Sequence, residues 1–193
     1  MIIAITGTPG SGKSTIAKKL VKELGFERVY AGGMVRKLAK DMGMTVEGLM
    51  AYAKTHPEID IKIDKNVAKM AKEWAGAGKS VIAEGRIQPF LIQESIKIFI
   101  KVSPEEGARR IFGDLQDEEK KKARNEDIVD SIDAVKEKMM FRHHDDAKRL
   151  EGLYGFNYLN ESKYDLVLDT TTISADEATE KVKEFLSTLK KSN

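Results

Sequence analysis

The chain has 193 residues, 41% of them hydrophobic and 33% charged, which suffices for one domain with a full core and excludes a disordered chain. Lys and Arg number 33 against 31 Asp and Glu, so no global field steers the protein to nucleic acid or to a membrane surface. Cysteine is absent, which excludes disulfides and thiolate metal sites and suits a reducing compartment.

Ile2-Ile3-Ala4-Ile5 is a continuous apolar run, expected of a strand buried on both faces. With Met1 it is too short, and too soon followed by glycine, for a signal peptide. No later run approaches the roughly 18 apolar residues of a membrane span, so a cytoplasmic protein is expected. After a glycine-rich turn, Ile16, Ala17, Leu20, Val21 and Leu24 recur at helical spacing, and Gly25 ends that helix. Arg28 to Ala31 reads as a second strand. Gly32-Gly33 then opens a helix containing Met34, Val35, Leu38 and Met42.

Thr45 is an expected N-cap for a short helix that His56-Pro57 stops. A longer helix carries Ile63, Val67, Met70 and Trp74 on one face, with Gly76 and Gly78 closing it. Ser80 to Ala83 and Ile96 to Val102 are the third and fourth strands. Ser103-Pro104 caps the next helix, with Pro104 at its first position. Residues 114–152 are almost all polar or helical. Tyr164 to Leu168 is the fifth strand, and Ala178, Val182, Phe185, Leu186 and Leu189 mark a closing amphipathic helix. Strands alternating with helices predict an α/β fold, a parallel sheet built from right-handed βαβ units.

Gly7-Thr8-Pro9-Gly10-Ser11-Gly12-Lys13-Ser14 fits G-x-x-x-x-G-K-[ST], directly after a buried strand and at the start of a helix. Glycines let backbone N–H groups turn toward phosphates, and the helix N-terminus adds free donors and a positive dipole end. The segment Gly7 to Thr15 is therefore the expected ATP cradle. Lys13 would reach the β- and γ-phosphates, and the Ser14 hydroxyl would ligate Mg²⁺, a hard cation that prefers oxygen. GTPases and motor ATPases share this cradle. No late N-K-x-D motif supports a GTPase, and transporter or AAA-type ATPases are ordinarily larger. The short length points to small-molecule phosphoryl transfer.

A second phosphate site is expected where Val81-Ile82-Ala83 runs into Glu84-Gly85-Arg86. At the carboxyl edge of a parallel sheet these residues stand beside the P-loop crevice. Glu84 is a candidate for the Mg²⁺ shell, and Arg86 for gripping a second phosphate bidentately. Arg36 is a further candidate for the acceptor phosphate. Arg142, Asp146 and Arg149 share one helix face by their spacing of four and three. On residues alone that face also reads as a salt-bridged solvent surface. The run His143-His144-Asp145-Asp146 does not converge on one point, because adjacent helical residues point about 100° apart.

These segments together resemble the nucleoside monophosphate kinases, most closely the archaeal-type cytidylate kinases. The resemblance rests on the P-loop, Ala31-Gly32-x-x-x-Arg36, His56-Pro57-Glu58-Ile59-Asp60, Glu84-Gly85-Arg86, Arg142-x-x-x-Asp146-x-x-Arg149 and Tyr164 to Leu168. It implies a five-stranded parallel sheet in the order 2-3-1-4-5, helices on both faces, and mobile lids. The acceptor-nucleotide lid would span about 33–75 and the ATP lid about 112–152. It also implies that Arg36, Arg86, Arg142 and Arg149 hold the acceptor and transferring phosphates, that Asp146 contacts sugar or base, and that Arg110 lies near ATP. Three positions depart: Gly33 stands where an acid is usual, Asp145 replaces a frequent serine, and Gly113-Asp114 falls where a second lid arginine is expected.

The implied reaction is ATP-dependent phosphorylation of CMP or dCMP with Mg²⁺, catalysed by Lys13, Arg86, Arg142 and Arg149 without a side-chain general base. Another monophosphate such as AMP or UMP, or a small metabolite, is an alternative acceptor. A nucleotide-binding regulatory or RNA-associated protein with weak ATPase activity is an alternative of another kind. No nucleic-acid or membrane partner is expected, and a monomer is.

Overall fold

The computed structural model describes residues 1–117, 119, 122 and 131–191. Five strands form one parallel sheet: β1 (Ile2–Gly7), β2 (Glu27–Tyr30), β3 (Val81–Glu84), β4 (Ile96–Lys101) and β5 (Leu166–Asp169). Their spatial order is β2-β3-β1-β4-β5, as the resemblance implied. The P-loop strand is thus central, with Ile5 opposite Glu84 on one side and Ile98 on the other. The chain adds strands first to one side of β1 and then to the other, and such a switch of strand order opens a crevice at the carboxyl ends, where α/β sheets bind ligands.

Eight α-helices surround the sheet among the described residues: α1 (Lys13–Leu24), α2 (Ala31–Asp41), α3 (Val46–Ala53), α4 (Glu58–Gly76), α5 (Gln88–Leu91), α6 (Pro104–Leu115), α7 (Ile132–Tyr154) and α8 (Ala175–Lys191). Strand alternation sorts the apolar residues onto two faces. Ile3 and Ile5 pack with Ile16 and Leu20 of α1 and with Val182 and Leu186 of α8. Ile2, Val81 and Ala83 pack with Val67, Ala68 and Ala71 of α4 on the other face. Both faces are covered, which is why β1 reads as an unbroken apolar run. Each such Ile, Leu or Val stabilises the fold by about 1.5–3 kcal/mol on burial.

The local signals act as expected. Thr45 accepts from the Gly48 N–H at 3.2 Å to cap α3, and Ser103 accepts from the Glu106 N–H at 3.3 Å to cap α6. Element ends differ by a residue or two: β3 runs to Glu84 and α2 starts at Ala31, ahead of the glycines. The short α5 was not expected. Its four residues are set by the first turn after Arg86, where Phe90 N–H bonds to Ile87 O at 2.9 Å, and no helical period can develop over such a length.

Candidate active site

The turn between β1 and α1 is pressed against α6. Gly10 has φ +74°, and a Cβ there would fall 2.5 Å from the carbonyl oxygen of Gly107, so no side chain fits. Gly12 is the N-cap of α1 and brings no side-chain cap, which leaves the N–H groups of the first turn to a ligand. Lys13 Nζ donates to the Thr8 carbonyl at 3.3 Å. Gly7 and the run from Pro9 to Thr15 line a cleft of about 1260 Å³. Thr8 is turned away to the sheet, its Oγ1 accepting from Val102 N–H at 3.0 Å.

Arg110 reaches the same cleft from α6. Its guanidinium donates to the Thr170 carbonyl at 2.6 Å and to Thr170 Oγ1 at 3.2 Å, and Thr170 Oγ1 donates to Ser11 O at 3.0 Å. The loop after β5 therefore ties α6 to the P-loop. Glu106 braces Arg110 at 2.8 Å, and Arg109 together with Arg110 holds its carboxyl down to about 2.

Ser14 and Glu84 meet across the crevice. The Ser14 hydroxyl donates to Glu84 Oε1, while Arg28 Nε donates to Oε2 at 3.0 Å. A hydroxyl and a carboxylate side by side next to the phosphate cradle form a hard-oxygen donor set, which fits Mg²⁺. Arg28 was not foreseen. It sits on β2, and only the β2–β3 pairing brings it under Glu84.

Arg36, Arg86, Arg142 and Arg149 line the same cleft. Arg142, Asp146 and Arg149 do share a face of α7, and that face is turned into the cleft rather than to solvent. Asp146 is 1% exposed and sits among three guanidiniums: Arg86 at 2.6 Å, Arg149 at 2.8 Å and Arg142 at 3.9 Å. Arg149 also contacts Asp60 of α4. Arg36 lies beside Tyr30, its guanidinium 5.8 Å from the ring centroid, and lines the cleft too. Lys54–Asp145 at 2.9 Å and Lys138–Glu47 at 3.2 Å join α3 to α7.

A family model described as an AAA domain matches residues 3–143. The chain is 33% identical over 171 residues to a cytidylate kinase of Thermococcus kodakarensis, covering 88% of this chain and 79% of that one. It is 34% identical to a cytidylate kinase of Pyrobaculum aerophilum, covering 92% and 88%. The chain belongs to the cytidylate kinase family. As a member it is a kinase, a nucleotide-binding transferase of the nucleoside monophosphate kinase class. A shikimate kinase from Bacteroides thetaiotaomicron superposes with a TM-score of 0.57 over 97% of this chain and 98% of that one, at 16% identity, which speaks for a shared fold alone.

Against that family pattern, the departure at Gly33 has a local cause. The Tyr30 ring lies over it, and a Cβ at Gly33 would fall 2.5 Å from the ring. Asp145 is engaged by Lys54. Asp114 lines the cleft, while positions 118, 120, 121 and 123–130 of the expected ATP lid lie outside the described residues. Asp60 and Asp64 were overlooked as site residues, although helical spacing was a usable signal. They fall on the inward face of α4 with Ile63 and Val67, where an acid is unusual.

Proposed function

We propose that this protein transfers the γ-phosphoryl group of Mg²⁺–ATP directly to a phosphate oxygen of CMP or dCMP, giving ADP and CDP or dCDP. The observation that carries the reading is one cleft lined both by a phosphate cradle and by four arginines, Arg36, Arg86, Arg142 and Arg149. At about 1260 Å³ the cleft exceeds the roughly 300–1,000 Å³ of a single-ligand pocket and has room for two nucleotides. A hydroxyl acceptor such as shikimate would not call for so many cations.

The acceptor oxygen is already ionised near neutral pH, since the second phosphate pKa is about 6. No general base is needed. Catalysis reduces to holding two anions in line and offsetting their charge. Residues Gly7 to Thr15 cradle the donor, with Lys13 over its terminal phosphates. Arg110 braces the loop beside it. Arg86 and Arg36 hold the acceptor phosphate, and Arg142 and Arg149 approach the group in flight. Ser14 and Glu84 would hold Mg²⁺, which when bound would supply positive charge to offset the charge developing in transfer. Asp146 aligns the arginines, and its buried place among them suits this better than contact with a sugar. Closure of the segments about 33–75 and 112–152 would exclude water, which otherwise competes as acceptor.

The test is ADP release from Mg²⁺–ATP with CMP, dCMP, UMP, AMP, GMP or no acceptor. Rapid turnover with CMP and dCMP over a low background is expected. Hydrolysis indifferent to every monophosphate would sink the proposal.

A further inference from the structure

One acid in the cleft is not used by the chemistry above. Asp64 lies one turn beyond Asp60 on α4, lines the cleft and is 7% exposed. Asp60 spends its charge on Arg149. Asp64 makes no ion pair among the described residues. Its Oδ2 accepts from the Tyr154 hydroxyl at 2.9 Å and its Oδ1 from the Gln88 amide at 3.3 Å, both neutral donors. Burial is the chief reason its carboxyl is held up at about 6. The charge of Arg86 offsets this only in part, and a carboxylate buried on neutral hydrogen-bond donors costs stability and is a poor choice for packing alone. In a ligand cleft it is a functional candidate.

A second observation points the same way. Gln88 is fully buried, and its Oε1 has no hydrogen-bond partner although its amide nitrogen is engaged by Asp64. Gln88 does not line the cleft, so its part is to fix the carboxylate of Asp64, whose remaining lone pairs are the acceptors that face the cleft. An exocyclic amino group on a base is the complementary donor, and carboxylates accept from cytosine N4. In its ionised form Asp64 only accepts, so it matches the amino group of cytosine. Uracil presents a carbonyl oxygen where cytosine has the amino group, and this opposes the carboxylate.

We infer that Asp64, held by Tyr154 and Gln88, is the specificity-determining residue for the acceptor base, reading a 4-amino edge and discriminating against a 4-keto one. This rests on the monophosphate-kinase reading given above. Adenine has the same amino and ring-nitrogen pattern, so Asp64 separates amino from keto bases and leaves size to the walls.

The test measures kcat and KM at saturating ATP for CMP, UMP and the CMP analogue with hydrogen in place of the 4-amino group. Wild-type protein, Asp64→Asn and Tyr154→Phe are compared, with KM for ATP and a thermal melt for each. A carboxamide can present either a donor or an acceptor, so Asn suits both bases. Asp64→Asn is expected to narrow the CMP-to-UMP ratio of kcat/KM by roughly tenfold or more, mainly through acceptor KM, with KM for ATP within about twofold. Tyr154→Phe, which removes one hydroxyl, is expected to move the ratio the same way by a smaller factor. Wild-type protein should lose roughly 100-fold with the analogue. An unchanged ratio in folded Asp64→Asn overturns the inference. So does equal use of CMP and the analogue by wild-type protein, a result that needs no variant to fold. In both cases CMP turnover itself stands. No acceleration by any monophosphate instead overturns the kinase reading, and this inference with it.

Discussion

The hydroxyl of Ser14 donates to the carboxylate of Glu84, joining the first turn of α1 to the tip of β3. The two groups expected to hold Mg²⁺ are thus in contact in the protein alone, with Arg28 as counter-ion behind them. Glu84→Gln keeps the shape and removes the charge. It is expected to raise the Mg²⁺ concentration for half-maximal rate several-fold. It also leaves Arg28, 12% exposed, without a counter-ion, at a stability loss of about 1–3 kcal/mol. A Mg²⁺ titration of rate at fixed ATP and a thermal melt measure the two effects separately.

Lys13 projects from the first position of α1 into the cleft. Its charge is asked to meet phosphate oxygens as they gain charge in transfer, a type of contact whose loss costs about 10²–10³ in kcat. Lys13→Ala is expected to lose that much in steady-state ADP release. Its circular-dichroism spectrum and melting temperature should stay close to wild type. An activity loss smaller than tenfold would count against the donor site.

Asp146 is shared by Arg86, Arg142 and Arg149. Removing it takes a shared buried carboxylate from three part-buried cations, of which Arg149 keeps Asp60, a change that should cost somewhat less than the ~3–5 kcal/mol of a fully buried pair. Asp146→Asn is therefore expected to melt well below wild type in phosphate-free buffer. Inorganic phosphate binds the freed guanidiniums of the folded state only, so it should raise the variant's melting temperature more than wild type's. An equal response of both proteins to phosphate would contradict the hub role.

The fold was legible because its signals are local. An apolar run marked β1, Thr45 and Ser103 marked helix starts, and the P-loop spacing fixed the strand-turn-helix order. Strand order was not in those signals. It came from resemblance, since periodicity says which residues are buried and not which strand lies beside which. The face of α7 was legible as spacing but ambiguous in meaning. An Arg-Asp-Arg surface reads alike in solvent and in a cleft until packing turns it inward. Arg28, Gln88 and Tyr154 escaped notice because their roles depend on partners 56, 24 and 90 residues away. Spacing within one element carries no trace of such pairs.

Asp64 and His143 should pull stability in opposite directions with pH. Burial holds Asp64 up from its ordinary 3.8 to about 6, with Tyr154, Arg86 and Gln88 opposing. Its charged form is disfavoured in the fold, so its contribution is full below pH 3.8 and is lost as pH rises through about 6. Burial, then the charges of Arg86 and Lys13, hold His143 down from 6.5 to about 4. Its contribution is full above pH 6.5 and is lost as pH falls through about 4. The Asp64 shift corresponds to about 3 kcal/mol when fully expressed, and the His143 shift to less, because solvent screens its partly exposed ring. Asp64→Asn removes the first effect and keeps the second. The variant is expected to be more stable than wild type at pH 7, and that advantage should shrink by about 1 kcal/mol at pH 5, some 2–4 °C in melting temperature. Melts of both proteins at pH 7 and pH 5 measure the difference, from which His143 and every other shared group cancel. A gap that stays constant or widens on acidification would show that Asp64 is ionised as readily in the fold as in the unfolded chain.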